Sequence, residues 1–221
     1  MAFTIHSLLD AERLQQLRTA LAAADAPWQP GEQTAGWHAR LVKHNHQLDC
    51  GSDLHQRLSG LLQPLLIDHP LVRSLAFPRR IHGLLFSRMG PGQGYGDHVD
   101  NAWMAEGRSD LSFTLFLSSP EHYQGGALVL NTAAGERSVR LPAGDAFVYP
   151  STLLHRVEPV ISGERLVVAG WIESRIREVE QRDLLFDLDT ARRLIFQAHG
   201  KDDSFDLISR CYSNLLRRWD R

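Results

Sequence analysis

Cysteine is scarce: Cys50 and Cys211 are the only two in 221 residues. Two thiols cannot build a disulfide framework and are too sparse for a zinc knuckle. Net charge is nearly absent, at −2 from 24 basic and 26 acidic side chains. With no basic excess to neutralise a phosphate backbone, no nucleic-acid partner is expected. Long apolar runs are missing too. Leu166–Ile172 is one of the longer ones, far below the ~20 residues that span a bilayer, so no membrane partner is expected. The N-terminal residues lack a basic stretch followed by an apolar one, and a soluble cytoplasmic protein is expected. The glycine-rich stretch 90–96 is neither G-x-G-x-x-G nor a G-K-[ST] loop, so a nucleotide-phosphate cradle has no support. Ser151 precedes His155 without a G-x-S-x-G elbow, which removes the simplest nucleophile reading.

What is present is histidine, 11 residues of it, the commonest metal ligand. The length corresponds to one domain with appendages or two small ones. Residues 1–79 read as a mainly helical flank with at least one strand joining the core. Ser7 is placed as the cap of a helix carrying Leu14, Leu17 and Leu21, and Ser52 as the cap of one carrying Leu54, Leu58, Leu61 and Leu62. A strand is expected over 36–47, where Trp37, Ala39 and Leu41 alternate with more polar neighbours.

Residues 80–174 change character. Leu111, Phe113, Leu115 and Leu117 alternate with Ser112 and Thr114, a strong strand pattern. More short strands are expected at 127–130, 138–141, 146–149, 153–157 and 165–172, separated by Gly and Pro turns. Such a run points to a sandwich or barrel. Residues 175–221 return to helical spacing, with Ile208, Cys211, Tyr212, Leu215 and Trp219 on one stripe. That stripe places Cys211 in a core. It suits either a helix covering its own barrel or a homo-oligomer interface through the C-terminal helices.

The sharpest chemical feature is His98-Val99-Asp100. Residues two apart on an extended segment point the same way, so one imidazole and one carboxylate can reach a single ion. H-x-D alone is common, and a solvated loop histidine beside an acidic turn residue is its ordinary explanation. Here the pair follows a Gly-rich bend and precedes the clearest strand. A third ligand is available in His155, 57 residues later in the same β region. Two histidines and a carboxylate on one face leave positions open, the pattern of non-haem Fe(II) oxygenases. Arg165 opens an apolar strand, where a guanidinium is costly unless paired. A ligand carboxylate would satisfy it, and so would a rim salt bridge to Glu158 or Glu164. Strand parity puts Arg165, Val167, Ala169 and Trp171 on one face, and His155 but not Arg156 on the facing one.

Other histidines offer less. His44 and His46 share a face but have no partner at a structural-zinc spacing, so a solvated or substrate-facing strand is the better account. Lys43, His44 and Asn45 are candidates for a pocket mouth if that strand joins the barrel. His82 and His122 read as surface or hydrogen-bonded histidines.

Taken together, Tyr95-x-x-His98-x-Asp100, His155 and Arg165 resemble the Fe(II)- and 2-oxoglutarate-dependent dioxygenases of the prolyl/lysyl hydroxylase type. The likeness is closest to the bacterial PKHD-type hydroxylases, the YbiX/PiuC family. Phe86–Met89, Gly125-Gly126-x-Leu128 and Tyr149-Pro150-Ser151-x-x-Leu154-His155 carry it further, over nearly the whole chain. The resemblance implies an α+β protein whose residues 80–174 form a double-stranded β-helix, a jelly roll, between helical flanks 1–79 and 175–221. It implies His98, Asp100 and His155 as iron ligands and the catalytic centre. It implies Arg165, Tyr95 and Trp171 as contacts of 2-oxoglutarate, the cosubstrate that leaves as succinate and CO2. It leaves L-ascorbate open as an auxiliary cofactor. The implied substrate is a small or amino-acid-like molecule, with a siderophore-related one among the options. A cupin-like metal enzyme without a 2-oxo acid and a non-catalytic binding member of the fold are the rivals.

Overall fold

A computed structural model describes residues 2–34, 36, 39–104 and 106–220. In chain order it contains β1 (Phe3–Ile5), α1 (Ala11–Leu21), β2 (Trp28–Pro30), β3 (Lys43–His44), β4 (His46–Leu48), α2 (Asp53–Ile67), α3 (Pro70–Leu75), β5 (Pro78–Met89) and β6 (Gly94–His98). There follow β7 (Trp103–Met104), β8 (Gly107–Arg108), β9 (Leu111–Phe116), β10 (Tyr123–Gly125), β11 (Leu128–Thr132), β12 (Gly135–Val139) and β13 (Ala146–Pro150). β14 (His155–Val157), β15 (Val160–Gly163), β16 (Arg165–Ser174), α4 (Val179–His199) and α5 (Asp203–Trp219) complete it.

Two antiparallel sheets face each other. The larger runs β1-β13-β9-β16-β5-β4-β2, and the smaller runs β12-β11-β14-β6-β3. The expected jelly roll flanked by helices is thus the architecture. All six residues of β9 are buried, because its sheet is covered on both sides. Leu111, Phe113 and Leu115 join Leu17, Leu58, Leu62 and Leu66 of α1 and α2 in the main core. Phe116 faces the smaller sheet, where it packs with Leu128, Leu130, Phe147 and Val167. Ser112 and Thr114, also buried, line a cavity between the sheets. The alternation read from the sequence therefore separates a helix side from a cavity side, and the polar members stay out of bulk water.

On β16, Arg165, Val167, Ala169 and Trp171 all line the cavity, as parity requires, while Leu166, Val168 and Ile172 enter the core. The neighbouring strand β5 breaks this alternation. Ile81, Leu84 and Phe86 belong to the core, while His82, Leu85, Ser87 and Met89 line the cavity. The switch comes from a bulge: Ala169 sits opposite Leu85, but Trp171 sits opposite His82. An extra residue in one strand re-aims every side chain beyond it. Gly83 provides it at φ 62°, and a Cβ there would stand 2.6 Å from the Trp171 ring. Only glycine meets both demands without strain.

Several local expectations need correction. α1 is capped by Asp10, whose carboxylate accepts from the Arg13 N–H at 2.8 Å, and not by Ser7. Ser7 has φ 51° and donates its own N–H to Asp145, so it belongs to the turn before the helix. The strand expected over 36–47 is shorter and split. Short 3-10 turns occupy Gly31–Thr34 and Ala39–Leu41, then β3 pairs with β6 in the smaller sheet and β4 with β5 in the larger. A chain crossing between sheets cannot stay one continuous strand. Trp37 lies outside the described residues. Cys211 is exposed, not core. α5 contributes no fully buried residue, because only Tyr212, Leu215, Leu216 and Trp219 reach the small cluster of Phe77, Ile176 and Leu185. That contact lays the C-terminal helices on their own β domain. The Ser52 cap holds, with its hydroxyl accepting from the His55 N–H, and so do the core strands to within a few residues.

Gly83→Ala is expected to lower stability by about 1–3 kcal/mol through its left-handed backbone and the ring it would strike. Gly60→Ala, in the open interior of α2, is expected to raise it by about 0.5–1 kcal/mol. Urea unfolding of the two variants checks the contrast.

Candidate metal centre and its cavity

The seam of the two sheets brings His98, Asp100 and His155 together. β6 and β14 pair with His98 opposite His155, and the ring centroids are 4.2 Å apart. Asp100 follows two residues beyond His98, and its Oδ2 lies 3.8 Å from His155 Nε2. One ligand atom from each residue lies within 4.8 Å of the others, close enough for one ion to bridge all three.

Hydrogen bonds fix how these ligands face. His98 Nδ1 lies 2.8 Å from the Gly96 carbonyl, and His155 Nδ1 lies 2.9 Å from the Leu153 carbonyl. A carbonyl only accepts, so both Nδ1 atoms carry a proton, which leaves Nε2 as the ligand atom of each ring. Such outer bonds orient metal-binding histidines. Burial, with His155 as neighbour, pulls His98 down to about 4. Its imidazole is therefore neutral near pH 7, as a metal ligand must be. Ser112 donates to Asp100 Oδ2 at 2.5 Å. Having given its only proton, Ser112 accepts from Ser151, 2.8 Å away. The result is a relay from Ser151 through Ser112 that holds the carboxylate. The sequence shows Ser112 only as a small polar residue inside β9 and Ser151 only as a weak nucleophile candidate; neither is marked there as a support for Asp100.

Around the triad lies a cavity of about 290 Å³. Tyr95 stacks on His98 with centroids 3.6 Å apart, and Tyr149 meets His155 edge-on at 5.3 Å. Burial and the Asp100 charge push the Tyr95 phenol up to about 12 and raise the Tyr149 phenol as well. Both stay protonated, as hydroxyl donors and not phenolate ligands. Arg165 lies on the cavity wall, only 2% exposed. Its guanidinium sits 5.6 Å from the Phe116 ring centroid, with Tyr123 and Tyr149 as polar neighbours. No carboxylate among the described residues pairs with it, and its Nε has no hydrogen-bond partner there. The rim salt bridge to Glu158 or Glu164 is not formed. Gly126, at φ 62°, makes the room: a Cβ would press the Arg165 Cδ at 3.0 Å, which gives the Gly125-Gly126 pair a physical reason.

The remaining candidates separate cleanly. Trp171 lines the cavity over Gly83. Arg156 faces away and pairs with Glu136 at 2.7 Å. Lys43, Asn45 and Gln47 line the cavity, while His44 points out. His82 is fully buried, its Nε2 bonded to the Arg108 carbonyl at 2.9 Å; the bulge at Gly83 put it on the cavity wall, which simple alternation could not foresee. The donor set of two imidazoles and a carboxylate suits Fe(II). The unpaired buried guanidinium suits a dicarboxylate bound in the same cavity.

Comparisons with known proteins agree with this chemistry. Residues 84–173 match the model of the 2OG-Fe(II) oxygenase superfamily, and residues 180–220 match the PKHD-type hydroxylase C-terminal domain. A PKHD-type hydroxylase of Acaryochloris marina is 52% identical, with 99% of each chain covered. One of Synechococcus elongatus is 51% identical over the same shares. Among solved structures, a Pseudomonas putida prolyl-4-hydroxylase superposes with a TM-score of 0.58 at 23% identity, covering 79% of this chain and 92% of that one. HygX from Streptomyces hygroscopicus, solved with nickel and 2-oxoglutarate, superposes at 0.53 and 16% identity, covering 76% and 81%. At these identities the structural matches speak for the fold.

Ser112→Ala removes the bond that aims Asp100. It is expected to weaken Fe(II) binding by about 10–100-fold with the fold intact, as read by anaerobic Fe(II) titration alongside circular dichroism.

Proposed function

Because this chain belongs to the PKHD-type hydroxylases of the 2-oxoglutarate–Fe(II) oxygenase superfamily, we propose a division of labour among its cavity residues. The protein is an Fe(II)- and 2-oxoglutarate-dependent hydroxylase. In this scheme His98 and His155 hold the iron through Nε2, and Asp100 through one carboxylate oxygen. Arg165 grips the far carboxylate of 2-oxoglutarate. Tyr95 and Trp171 wall the cosubstrate in, and the Tyr95 hydroxyl supplies a hydrogen bond. When bound, iron with 2-oxoglutarate and dioxygen supplies the oxidation that turns a substrate C–H into C–OH and releases succinate and CO2.

The protein's part is placement and electrostatics. Ser112 and Ser151 keep the Asp100 carboxylate turned inward. The bonds from His98 to Gly96 and from His155 to Leu153 lock both imidazoles in the tautomer that leaves Nε2 open. Val157, Val167 and Leu128 keep water from the Arg165 end, which strengthens an arginine–carboxylate pair. The substrate is inferred to be a small or amino-acid-like molecule that shares the 290 Å³ cavity with the cosubstrate.

The single observation that carries this scheme is Arg165: a buried guanidinium, unpaired by any described carboxylate, opening onto the same cavity as the triad. Arg165→Ala is expected to raise the Kd of 2-oxoglutarate by about 10²–10³-fold, the scale set by losing one partner of a buried charge pair. Fe(II) affinity should stay the same. Anaerobic titration of each ligand separates the two, and a parallel loss of iron would contradict a cosubstrate role.

A further inference from the structure

Hydrocarbon is left uncovered inside the cavity. β16 is bonded along both edges, to β5 and β9, and its opposite face is packed in the main core. A side chain on its cavity face can therefore meet solvent only through the cavity. Ala169 and Trp171 are such residues, each half-buried between fully buried chain neighbours. Leu85, paired opposite Ala169 on β5, is half-buried on the same wall. Met104 of β7 is half-buried too, and Val99, between His98 and Asp100, is 44% exposed; both carry the apolar surface to the mouth. The polar side chains of the inner lining offer far less open surface. Lys43, Asn45, Gln47 and His82 are 4%, 5%, 2% and 0% exposed. Among the described residues, the reachable part of the inner wall is thus mainly carbon, apart from Tyr95.

Strand register places this surface beside the triad. Trp171 is the cross-strand neighbour of Ser112, whose hydroxyl donates to Asp100. The indole therefore stands about one strand spacing, ~4.8 Å, from the serine that holds the carboxylate. Its six-membered ring is seated against Gly83, which fixes it as a wall. Arg165 lies six residues away on the same strand, roughly 20 Å at the usual rise. On the footing of the function proposed above, 2-oxoglutarate runs from Arg165 to the iron and borders Trp171 only at its metal end. The surface from Leu85 across the rest of the indole to Met104 then remains for the second substrate. Apolar surface gains when another apolar group displaces its water, whereas a charged or amide group placed there would shed water and meet carbon. From this juxtaposition we infer that the group hydroxylated is a short hydrocarbon segment, such as an aliphatic side chain. Leu85, Ala169 and Trp171 seat it, and Val99 and Met104 flank it at the mouth. The cavity of about 290 Å³ also has to hold the cosubstrate, which keeps the segment short.

The test uses the full-length enzyme loaded anaerobically with Mn(II) and 2-oxoglutarate. The N-acetyl N-methylamides of leucine and asparagine form one probe pair of similar shape, and those of norleucine and lysine a second pair of similar length. Calorimetry gives each Kd, and Mn(II)-induced relaxation of the side-chain protons reports whether the probe sits beside the metal. The hydrocarbon member of each pair is expected to bind about 10–100-fold tighter, the scale of burying one aliphatic side chain, with its side-chain protons relaxed. Leu85→Asn and Met104→Gln remove hydrocarbon at similar size, and each should cut the preference by about 3–10-fold. Met104 belongs to a hairpin outside the two large sheets, so its variant keeps the test open if Leu85→Asn fails to fold. Equal binding within the pairs, tighter binding of the polar members, no binding of any probe, or binding without relaxation overturns the inference. So does a preference that survives undiminished in the folded variants. A parallel loss of 2-oxoglutarate affinity in Leu85→Asn would overturn the seat at Leu85 by making it a cosubstrate wall. A wild-type enzyme that binds neither Mn(II) nor 2-oxoglutarate would instead overturn the underlying assignment of the triad and Arg165, and this inference with it.

Discussion

Arg165 is a guanidinium sealed between two sheets, with aromatic rings around it and no described carboxylate to neutralise it. A charge removed from water in this way costs several kcal/mol unless something compensates. Much of the surrounding structure is arranged to keep it there. Gly126 gives up its side chain so that the arginine stem can pass. β16 is bonded on both sides, to β5 and β9, which fixes its parity and therefore the direction of the arginine. The same parity places Val167, Ala169 and Trp171 along one wall. A strand that slipped by one residue would bury Leu166 and Val168 in the cavity and turn Arg165 into the helix-packed core.

The candidate metal centre depends on the facing sheet in the same way. His98 and His155 are cross-strand neighbours, so their separation is set by backbone pairing and not by flexible side chains. Asp100 lies past the end of β6 and lacks that support. It is held instead by Ser112 of the opposite sheet, so that a hydroxyl bonds the two halves of the jelly roll together at the point of chemistry. Burial of the tyrosines beside the histidines raises both phenols and keeps them neutral, which leaves the triad as the group that could hold an ion.

Much of this was legible in the sequence because parity is a local property. The alternation in Leu111–Phe116 and the two-residue spacing of His98 and Asp100 both survive folding, since strands keep side chains on fixed faces. The burial of Arg165 was legible as a question, because an arginine at the head of an apolar strand needs a partner wherever it occurs; its proposed contact with 2-oxoglutarate came from the family resemblance. What remained hidden depends on long-range pairing or on a local exception. The bulge at Gly83 inverts β5, and a glycine inside a strand pattern does not say whether it bulges. The break between β3 and β4 arises because each pairs with a different sheet, which no window of sequence contains. Hence Lys43, Asn45 and Gln47 face inward and His44 does not. Ser7 has the composition of a cap, but its N–H is claimed by Asp145, 138 residues away. Cys211 sits on an apolar stripe, yet it is exposed, and it is Tyr212, Leu215, Leu216 and Trp219 that pack on the cluster of Phe77, Ile176 and Leu185.

One cavity is proposed to bind iron through His98, Asp100 and His155 and to bind 2-oxoglutarate against Arg165. Anaerobic addition of Fe(II) and then 2-oxoglutarate, followed by visible absorption, reads both binding events together. A metal-to-ligand charge-transfer band develops only when the 2-oxo acid chelates the iron. The band is expected in the wild type, is expected to be lost in Asp100→Ala, and is expected to return in Arg165→Ala only at much higher 2-oxoglutarate. A band of wild-type strength in Asp100→Ala, or none in the wild type, would overturn the assignment of the triad.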